Sequence, residues 1–445
     1  MYRRAKVKIL RNVAFGAAAL VLSGCPITNG AKYTVGGTAT GVIGSGLVLQ
    51  LNGGDSLSIN SSATFSFGTR LDNSAAYSVT VLTQPSNPAQ TCTVRNGSGT
   101  INGSSIGNVI VACTQTGQFA YVANRQSNSI SGFGIDQSTG QLVPLSGSPF
   151  ASSGTTPTAL TVDPNKQFLY VANSDSNNVS VYSIDAATGA LTPVGLPIAA
   201  GTGPGAVTVD PTDHYLYVAN LTSNDVSAFA ISDGTLTPIV DSPFSAGAEP
   251  ASLAIDPNGN FLYATNFNGN SVSVFLIDLA SGTLSPISGS PFGTGAAPVS
   301  LAIDPTDAFA FIANNSGQTI ASYALNATTG ALTPSGSPLA AGTNPEALAV
   351  DPTGSYVFAA NAQGANQVAT YIITPATGAL TLSSSSGAGS VPIAVAIDPS
   401  GQFLYAVNFN SNDVSAYTLS ATGALTPVAG SPFAVGAQPH AIAID

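Results

Sequence analysis

Few side chains in this sequence could carry chemistry, and the most suggestive set is His440, Arg125 and Glu346. The 445 residues include only 2 histidines and 10 Lys or Arg. Hydrolysis of an ester-type bond needs a base to activate water and a cation or hydrogen-bond donor for the oxyanion. His440 could be the base, Arg125 could stabilise the oxyanion, and Glu346 could orient the pair. The alternative is structural, with His440 capping a strand and Arg125 in the exposed loop 124–128.

A recurring aspartate is the other candidate for chemistry. It ends an apolar segment seven times and is followed by Pro in six of them, at Asp163, Asp210, Asp256, Asp304, Asp351 and Asp398, with a last copy at Asp445. A ring of carboxylates could bind Ca²⁺, but such a site needs six or more converging oxygens. An Asp that opens a turn instead accepts hydrogen bonds from its own backbone. We therefore predict turn capping, no metal site and no cofactor. His214 is predicted to be a surface residue of one of these turns.

A sequence repeat provides the elements that position these residues. Its marker is Tyr-Val-Ala-Asn, with variations, whose Asn stands at 124, 173, 220, 266, 314, 361 and 408. Each unit of roughly 45 residues holds four short apolar runs, A to D, separated by Gly, Asn and Asp turns, as in a propeller blade. The first unit lacks run A, and residues 440–445 are a run A without its run B. The sequence therefore predicts an all-β fold with a closed seven-bladed β-propeller over residues 117–445.

The propeller geometry predicts a mouth where the residue after the Pro that opens each strand A faces the channel. Five of the residues at these seven positions are small or apolar, and the exceptions are His440 and Glu346. The seven residues are His440, Thr158, Gly205, Ala251, Val299, Glu346 and Ile393.

Three motifs of the repeat resemble those of the seven-bladed lactonase and Tyr-Val-Thr-Asn repeat propellers. They are the Tyr-Val-Ala-Asn core, Ser-Asn-Asp-Val-Ser at 223–227 and Thr-Gly-Ala-Leu-Thr-Pro at 188–193. The resemblance covers residues 117–445 and implies the fold, with lactone opening as a candidate activity for His440. A 6-phosphogluconolactonase role is not expected, because a phosphate pocket needs cations and this segment holds only Arg125 and Lys166.

The N-terminus is typical of an export signal. Basic residues up to Arg11 precede an apolar run, which ends in Leu-Ser-Gly-Cys at 22–25 and resembles a bacterial lipobox. The interpretation is a lipoprotein signal peptide over 1–24, lipidation of Cys25 and an anchor linker over 25–32. A plain secretory signal with an incidental Cys25 is the alternative. Pro26 after the Cys favours the outer membrane.

Residues 33–115 alternate short apolar runs with Gly and Asn turns, which predicts a small Ig-like β-sandwich acting as a spacer. The expected strands are 33–35, 46–51, 63–67 and 76–82. Cys92 and Cys113 lie in two further β-like runs. An exported protein favours a disulfide between them, worth roughly 3 kcal/mol by loop closure.

Without the leader, five basic residues face 21 acidic ones, a formal charge of −16, which argues against nucleic-acid binding. The favoured function is a lipid-anchored, non-catalytic scaffold of the bacterial envelope that binds a protein or glycan partner. The alternative is an extracytoplasmic lactonase-like hydrolase, and a structural surface-layer component is a third.

Overall fold

The structure is a computed structural model that describes residues 30–42, 46–85, 90–115 and 118–445. The predicted signal peptide and the lipidation site Cys25 lie outside these residues. The chain divides into two compact units, one up to Gln115 and the other from Thr116. In the described part of the chain, no helix is long and apolar enough to cross a membrane.

The first unit contains two four-stranded sheets that share one hydrophobic core, as a β-sandwich does. One sheet has the order β4-β1-β8-β6 and the other β3-β2-β5-β7. Val35, Phe65 and Val109 from the first sheet pack in one cluster with Leu49 and Val79 from the second. The strands are β1 Val35–Thr40, β2 Leu47–Leu51, β3 Asp55–Ile59, β4 Ala63–Ser66, β5 Ala76–Thr83, β6 Gln90–Arg95, β7 Ser98–Thr100 and β8 Ile106–Gln115.

The disulfide predicted between Cys92 and Cys113 is confirmed, and it joins residues that face each other across β6 and β8. One bound of the predicted strands is wrong, and strand β3 was not predicted. The first strand begins only at Val35, because Tyr33 forms an isolated bridge to Leu71 instead. The segment after the Asn52 turn is strand β3, which pairs with all of β2.

The second unit contains seven antiparallel sheets, each a blade with four main strands, A to D, from the channel outwards. The seven-bladed propeller is thus confirmed. The strands A are Pro439–Ile444, Pro157–Val162, Pro204–Val209, Pro250–Ile255, Pro298–Ile303, Pro345–Val350 and Pro392–Ile397. The strands B are Phe119–Asn124, Phe168–Asn173, Tyr215–Asn220, Phe261–Asn266, Phe309–Asn314, Tyr356–Asn361 and Phe403–Asn408.

The outer strands complete each blade. The strands C are Ser129–Ile135, Asn178–Ile184, Asp225–Ser232, Ser271–Ile277, Thr319–Leu325, Gln367–Ile373 and Asp413–Leu419. The strands D are Leu142–Pro144, Leu191–Pro193, Thr235–Pro238, Leu284–Pro286, Leu332–Pro334, Leu380–Gly387 and Leu425–Pro427. In all blades except the sixth, strand C also pairs with a two-residue segment: Phe150–Ala151, Ile198–Ala199, Phe244–Ser245, Phe292–Gly293, Leu339–Ala340 and Phe433–Ala434. The sequence did not predict these short segments.

The ring closes as the sequence predicts. Strand A of blade 1, Pro439–Ile444, pairs antiparallel with Phe119–Asn124. The Asp445 carboxylate accepts a hydrogen bond from the Phe119 N–H at 2.7 Å. On the outer side, the Tyr405 hydroxyl of blade 7 donates to the Gly140 carbonyl of blade 1 at 3.0 Å. Closure covers the edge of strand B in blade 1, which would otherwise be unpaired.

Candidate functional site

Each blade presents the first residues of strand A at one end of the channel. The Pro that opens the strand is buried, and the next residue faces a cavity of about 740 Å³. All seven positions expected at the mouth line this cavity, which is large enough for a small organic ligand. We call these seven residues the inner ring: His440, Thr158, Gly205, Ala251, Val299, Glu346 and Ile393.

A second set of side chains stands beside the inner ring, and only Arg125 among them was expected from the sequence. It consists of the residue that follows the Asn of each strand B. Its N–H donates, at 2.8–2.9 Å, to the carbonyl of the residue before the strand-A Pro of the same blade. That acceptor residue has a positive φ in every blade, so the same backbone arrangement, which joins the start of strand A to the end of strand B, is repeated seven times. We call this set the outer ring: Arg125, Ser174, Leu221, Phe267, Asn315, Ala362 and Phe409.

The imidazole of His440 is held by the neighbouring blade. Its Nδ1 lies 2.8 Å from the carbonyl oxygen of Thr158. A carbonyl oxygen only accepts, so Nδ1 carries the proton and the neutral ring has its lone pair on Nε2. The hydroxyl of Thr158 in turn donates to the Pro204 carbonyl at 2.9 Å. The Phe409 ring meets the imidazole edge to face, with centroids 6.4 Å apart.

The surroundings of His440 favour the neutral imidazole. Burial in the channel wall lowers its pKa below the ordinary 6.5, and the positive charge of Arg125 lowers it further. The hydrogen bond to Thr158 opposes these effects because a protonated ring would strengthen it. At neutral pH the group is therefore a free base in a cavity that the exposed cation Arg125 also lines, which suits general-base catalysis with oxyanion stabilisation.

Glu346 lines the same cavity but has a different partner. Its Oε1 accepts a hydrogen bond of 2.8 Å from the Asn315 side chain. Burial raises the pKa of the Glu346 carboxyl, and the Asn315 bond partly offsets that rise. Among the described residues, no hydrogen bond joins Glu346 to His440 or Arg125. Thr158, and not Glu346, contacts the imidazole nitrogen of His440. The predicted role of Glu346 in orienting His440 and Arg125 therefore stays a prediction.

The cavity lining also contains groups that the sequence analysis did not single out. Glu249 precedes Pro250 and contributes a second carboxylate, while Leu221, Phe267 and Phe409 contribute apolar walls. The sequence did contain a usable signal, because the position after each strand-B Asn recurs as regularly as the position after each strand-A Pro. The direction of these side chains depends on the backbone hydrogen bond to the residue before the Pro, which the sequence pattern does not reveal.

The remaining candidates have structural roles at the other end of strand A. In blade 3, both Oδ atoms of Asp210 accept backbone hydrogen bonds within its own turn. Each of the seven aspartates accepts from the first N–H of its strand B, at 2.5–2.7 Å. His214 is exposed and bonds to the Thr212 hydroxyl of the same turn. In the described part of the chain, no cluster of three or more His, Cys, Asp or Glu could hold a metal ion.

Known structures share this architecture at low sequence identity. A provisionally named 6-phosphogluconolactonase from Bacteroides fragilis is 22% identical, with a TM-score of 0.67, covering 74% of this chain and 98% of its own. The periplasmic gluconolactonase of Pseudomonas aeruginosa is 20% identical, with a TM-score of 0.66, covering 74% of this chain and 98% of its own. These similarities show the fold. No protein with a curated function matches the sequence.

The family model described as "Lactonase, 7-bladed beta-propeller" matches residues 87–203, 196–344 and 315–441 in three overlapping segments. Together these segments span most of the chain and every blade. The protein belongs to the seven-bladed β-propeller lactonase family.

Proposed function

We propose that this protein is a lactonase-like hydrolase that opens a lactone ring at the propeller mouth, with His440 as the general base. The observation that carries the proposal is the bond from His440 Nδ1 to Thr158 O, since it leaves Nε2 as the basic nitrogen of an imidazole kept neutral. Membership of the lactonase family supports this hydrolase over the non-catalytic scaffold that the sequence analysis favoured.

The proposed reaction consumes one water molecule, and the proton that His440 accepts from that water is later passed to the leaving oxygen. Nε2 of His440 takes a proton from water as the water oxygen bonds to the lactone carbonyl carbon. The carbonyl oxygen becomes an oxyanion, which the nearby guanidinium of Arg125 stabilises. Collapse of this intermediate breaks the bond to the ring oxygen, and that oxygen receives the proton from the imidazolium. The product is a hydroxy acid, and the imidazole is neutral again.

The test is hydrolysis of a panel of γ- and δ-lactones by the purified full-length chain. We expect His440→Gln to lower kcat/KM by about 10²–10⁴-fold, the usual contribution of a general base. His214→Gln is the matched control, because that histidine lies in an exposed turn at the other end of the strands, and it should leave the rate unchanged. A folded His440→Gln protein with the parent rate would refute the role of His440.

We further propose that the chain is exported and lipid-anchored through Cys25, in the bacterial outer membrane. The lipobox at 22–25 supports this, as does the periplasmic location named for the Pseudomonas aeruginosa relative. Metabolic labelling with a radioactive fatty acid tests it. Label that persists in Cys25→Ser, or its absence from the parent protein, would contradict the anchor. Binding of an envelope protein or glycan stays a prediction.

A further inference from the structure

The charges around the cavity are unsuited to a phosphorylated substrate. Arg125 is the only Lys or Arg among the described residues that line it. Two carboxylic acids, Glu249 and Glu346, line the same space. A phosphate monoester brings about −1.5 to −2 charges at neutral pH and is normally held by several cations or backbone N–H groups. The single guanidinium is also the group that the proposed function assigns to the oxyanion.

Apolar side chains, together with the carboxylate of Glu249 in blade 4, line the side of the cavity away from His440, and we call these apolar side chains the wall. His440 and Arg125 belong to blade 1, whereas Leu221 and Phe267 begin the B–C loops of blades 3 and 4. Ala251 and Val299, from the inner ring of blades 4 and 5, continue this surface.

The contact between Leu221 and Gly205 extends the wall into the channel. A Cβ atom at Gly205 would lie 2.0 Å from Leu221 Cδ1, so the leucine side chain occupies the space that an inner-ring side chain would fill. Leu221 and Phe267 are each half-buried in the described structure. They therefore keep apolar surface available to a ligand, and its burial would stabilise a complex by about 25 cal/mol per Å².

On these observations we propose that the substrate class is a non-phosphorylated lactone that carries an alkyl or aryl substituent. The lactone ring lies between His440 and Arg125, and the substituent lies against Leu221 and Phe267. The inference rests on the proposed function for the position of the ring. The apolar wall and the lack of a phosphate site stand on their own.

The test is equilibrium binding, which does not depend on turnover. Isothermal titration calorimetry of the full-length protein would use γ-lactams, which resist hydrolysis, with a methyl, butyl or octyl chain on the ring. Each buried methylene contributes about 0.8 kcal/mol, so affinity should rise by about ten-fold or more from methyl to butyl even with partial burial. The hydroxy acid 6-phosphogluconate should bind more weakly than the butyl lactam.

Substitutions assign the chain-length effect to the wall. Phe267→Ala and Leu221→Ala should each weaken binding of the octyl lactam by about ten-fold and leave the methyl lactam nearly unchanged. Leu196→Ala is the matched control, because Leu196 is 92% exposed and lies outside the cavity lining. Both wall residues are half-buried, and their truncation opens no core void.

The outcomes separate this inference from the proposed function. Affinity that is independent of chain length, or tighter binding of 6-phosphogluconate, overturns the inference even if a lactone is hydrolysed. Chain-dependent binding that is lost in the wall variants upholds the inference, even if no lactone is opened and the proposed hydrolysis fails. Absence of all binding overturns the inference.

Discussion

The chemistry proposed for this protein depends on a single imidazole whose proton position is set by one backbone carbonyl. Thr158 O accepts from Nδ1 of His440, and Thr158 is itself buried and bonded onward to blade 3. The base is therefore positioned by three consecutive blades rather than by a carboxylate partner. This arrangement favours the neutral ring, because no anion among the described residues is hydrogen-bonded to it to stabilise the imidazolium.

The lowered pKa of His440 gives a prediction at this scale. His214→Asn leaves one histidine, whose titration can be followed by nuclear magnetic resonance of the full chain. We expect its midpoint below 6.5, because burial and Arg125 both disfavour the charged ring. Arg125→Gln should move the midpoint upwards, since it removes a like charge. If the rate of lactone opening depends on the neutral base, the acid limb of kcat/KM should follow the same midpoint.

A midpoint at or above 6.5, or one unmoved by Arg125→Gln, would contradict the described environment of His440. Gln126→Asn is the matched control, because it changes a neighbouring exposed residue and leaves the charge of the loop the same. It should leave the midpoint of His440 unchanged.

The sequence predicted the inner ring because the regular geometry of strand A decides which way the residue after the Pro faces. Apart from Arg125, it did not predict the outer ring, because Phe267 and Phe409 are placed by a backbone hydrogen bond to the residue before the Pro, which has a positive φ. The hydrogen-bond partner of Glu346 could not be predicted from the sequence either. Asn315 comes from the adjacent blade, and a contact between blades follows from their packing rather than from either repeat alone.

At the scale of the blade, a buried Asn links strand B to strand C. In five blades its Nδ2 donates to a Ser hydroxyl of strand C: Ser131, Ser180, Ser227, Ser273 and Ser415. Blade 6 has Ala369 at the corresponding position, two residues beyond Gln367, which pairs with Asn361. Both side-chain polar atoms of Asn361 lack a partner in the described structure. An unsatisfied buried amide weakens this blade.

Restoring the missing hydroxyl should therefore stabilise blade 6. We expect Ala369→Ser to raise the free energy of unfolding by about 0.5–1.5 kcal/mol, because Asn361 Nδ2 gains an acceptor. The measurement is thermal or chemical unfolding of the variant against the parent. The reciprocal control is Ser180→Ala in blade 2, which removes the same bond from Asn173 and should lower stability by a similar amount. An Ala369→Ser protein that is less stable than the parent would contradict this account.

The strands and turns that have a strong local sequence motif were predicted, and the strands without such a motif were not. The Asp-Pro turns and the Tyr-Val-Ala-Asn strands recur with fixed chemistry, so their type and place follow from the sequence. Strand β3, with the sequence Asp-Ser-Leu-Ser-Ile, has only two apolar residues and is held mainly by pairing with β2. The two-residue segments beside strand C are shorter than any periodicity can indicate, and they exist only through pairing.

At the scale of the whole molecule, closure brings a carboxylate into a buried position. Asp445 is 6% exposed and caps the first strand B of the ring. Burial raises its pKa to about 6, although the Phe119 N–H and the charge of Lys166 both oppose the rise. The lack of strand A in the first repeat, and the extra one at residues 440–445, were enough to predict this closure. The effect on the carboxyl was not predictable, because it depends on burial.

The raised pKa of Asp445 makes ring stability depend on pH. Since the folded state binds this proton more tightly, the contribution is fully present below pH 3.8 and is lost as pH rises through about 6. Asp445→Asn keeps an acceptor for the Phe119 N–H without the charge. It should raise the free energy of unfolding at pH 7.5, by at most on the order of 3 kcal/mol, and by much less at pH 4.5.

Chemical unfolding at the two pH values checks this prediction, with Asp233→Asn as the control for an exposed aspartate that makes no side-chain bond in the described structure. Parallel pH profiles for the parent and Asp445→Asn would contradict it.

The pairing of residues 439–444 with 119–124 also has a consequence during synthesis. On the ribosome, the nascent chain can assemble six blades while the first sheet still presents an uncovered strand edge. That edge can be covered within the same molecule only after residue 444 has emerged. A chain that is cut or stalled before Pro439 therefore keeps an unpaired strand edge in blade 1. Such an edge can pair with the same edge of another incomplete chain, which leads to aggregation.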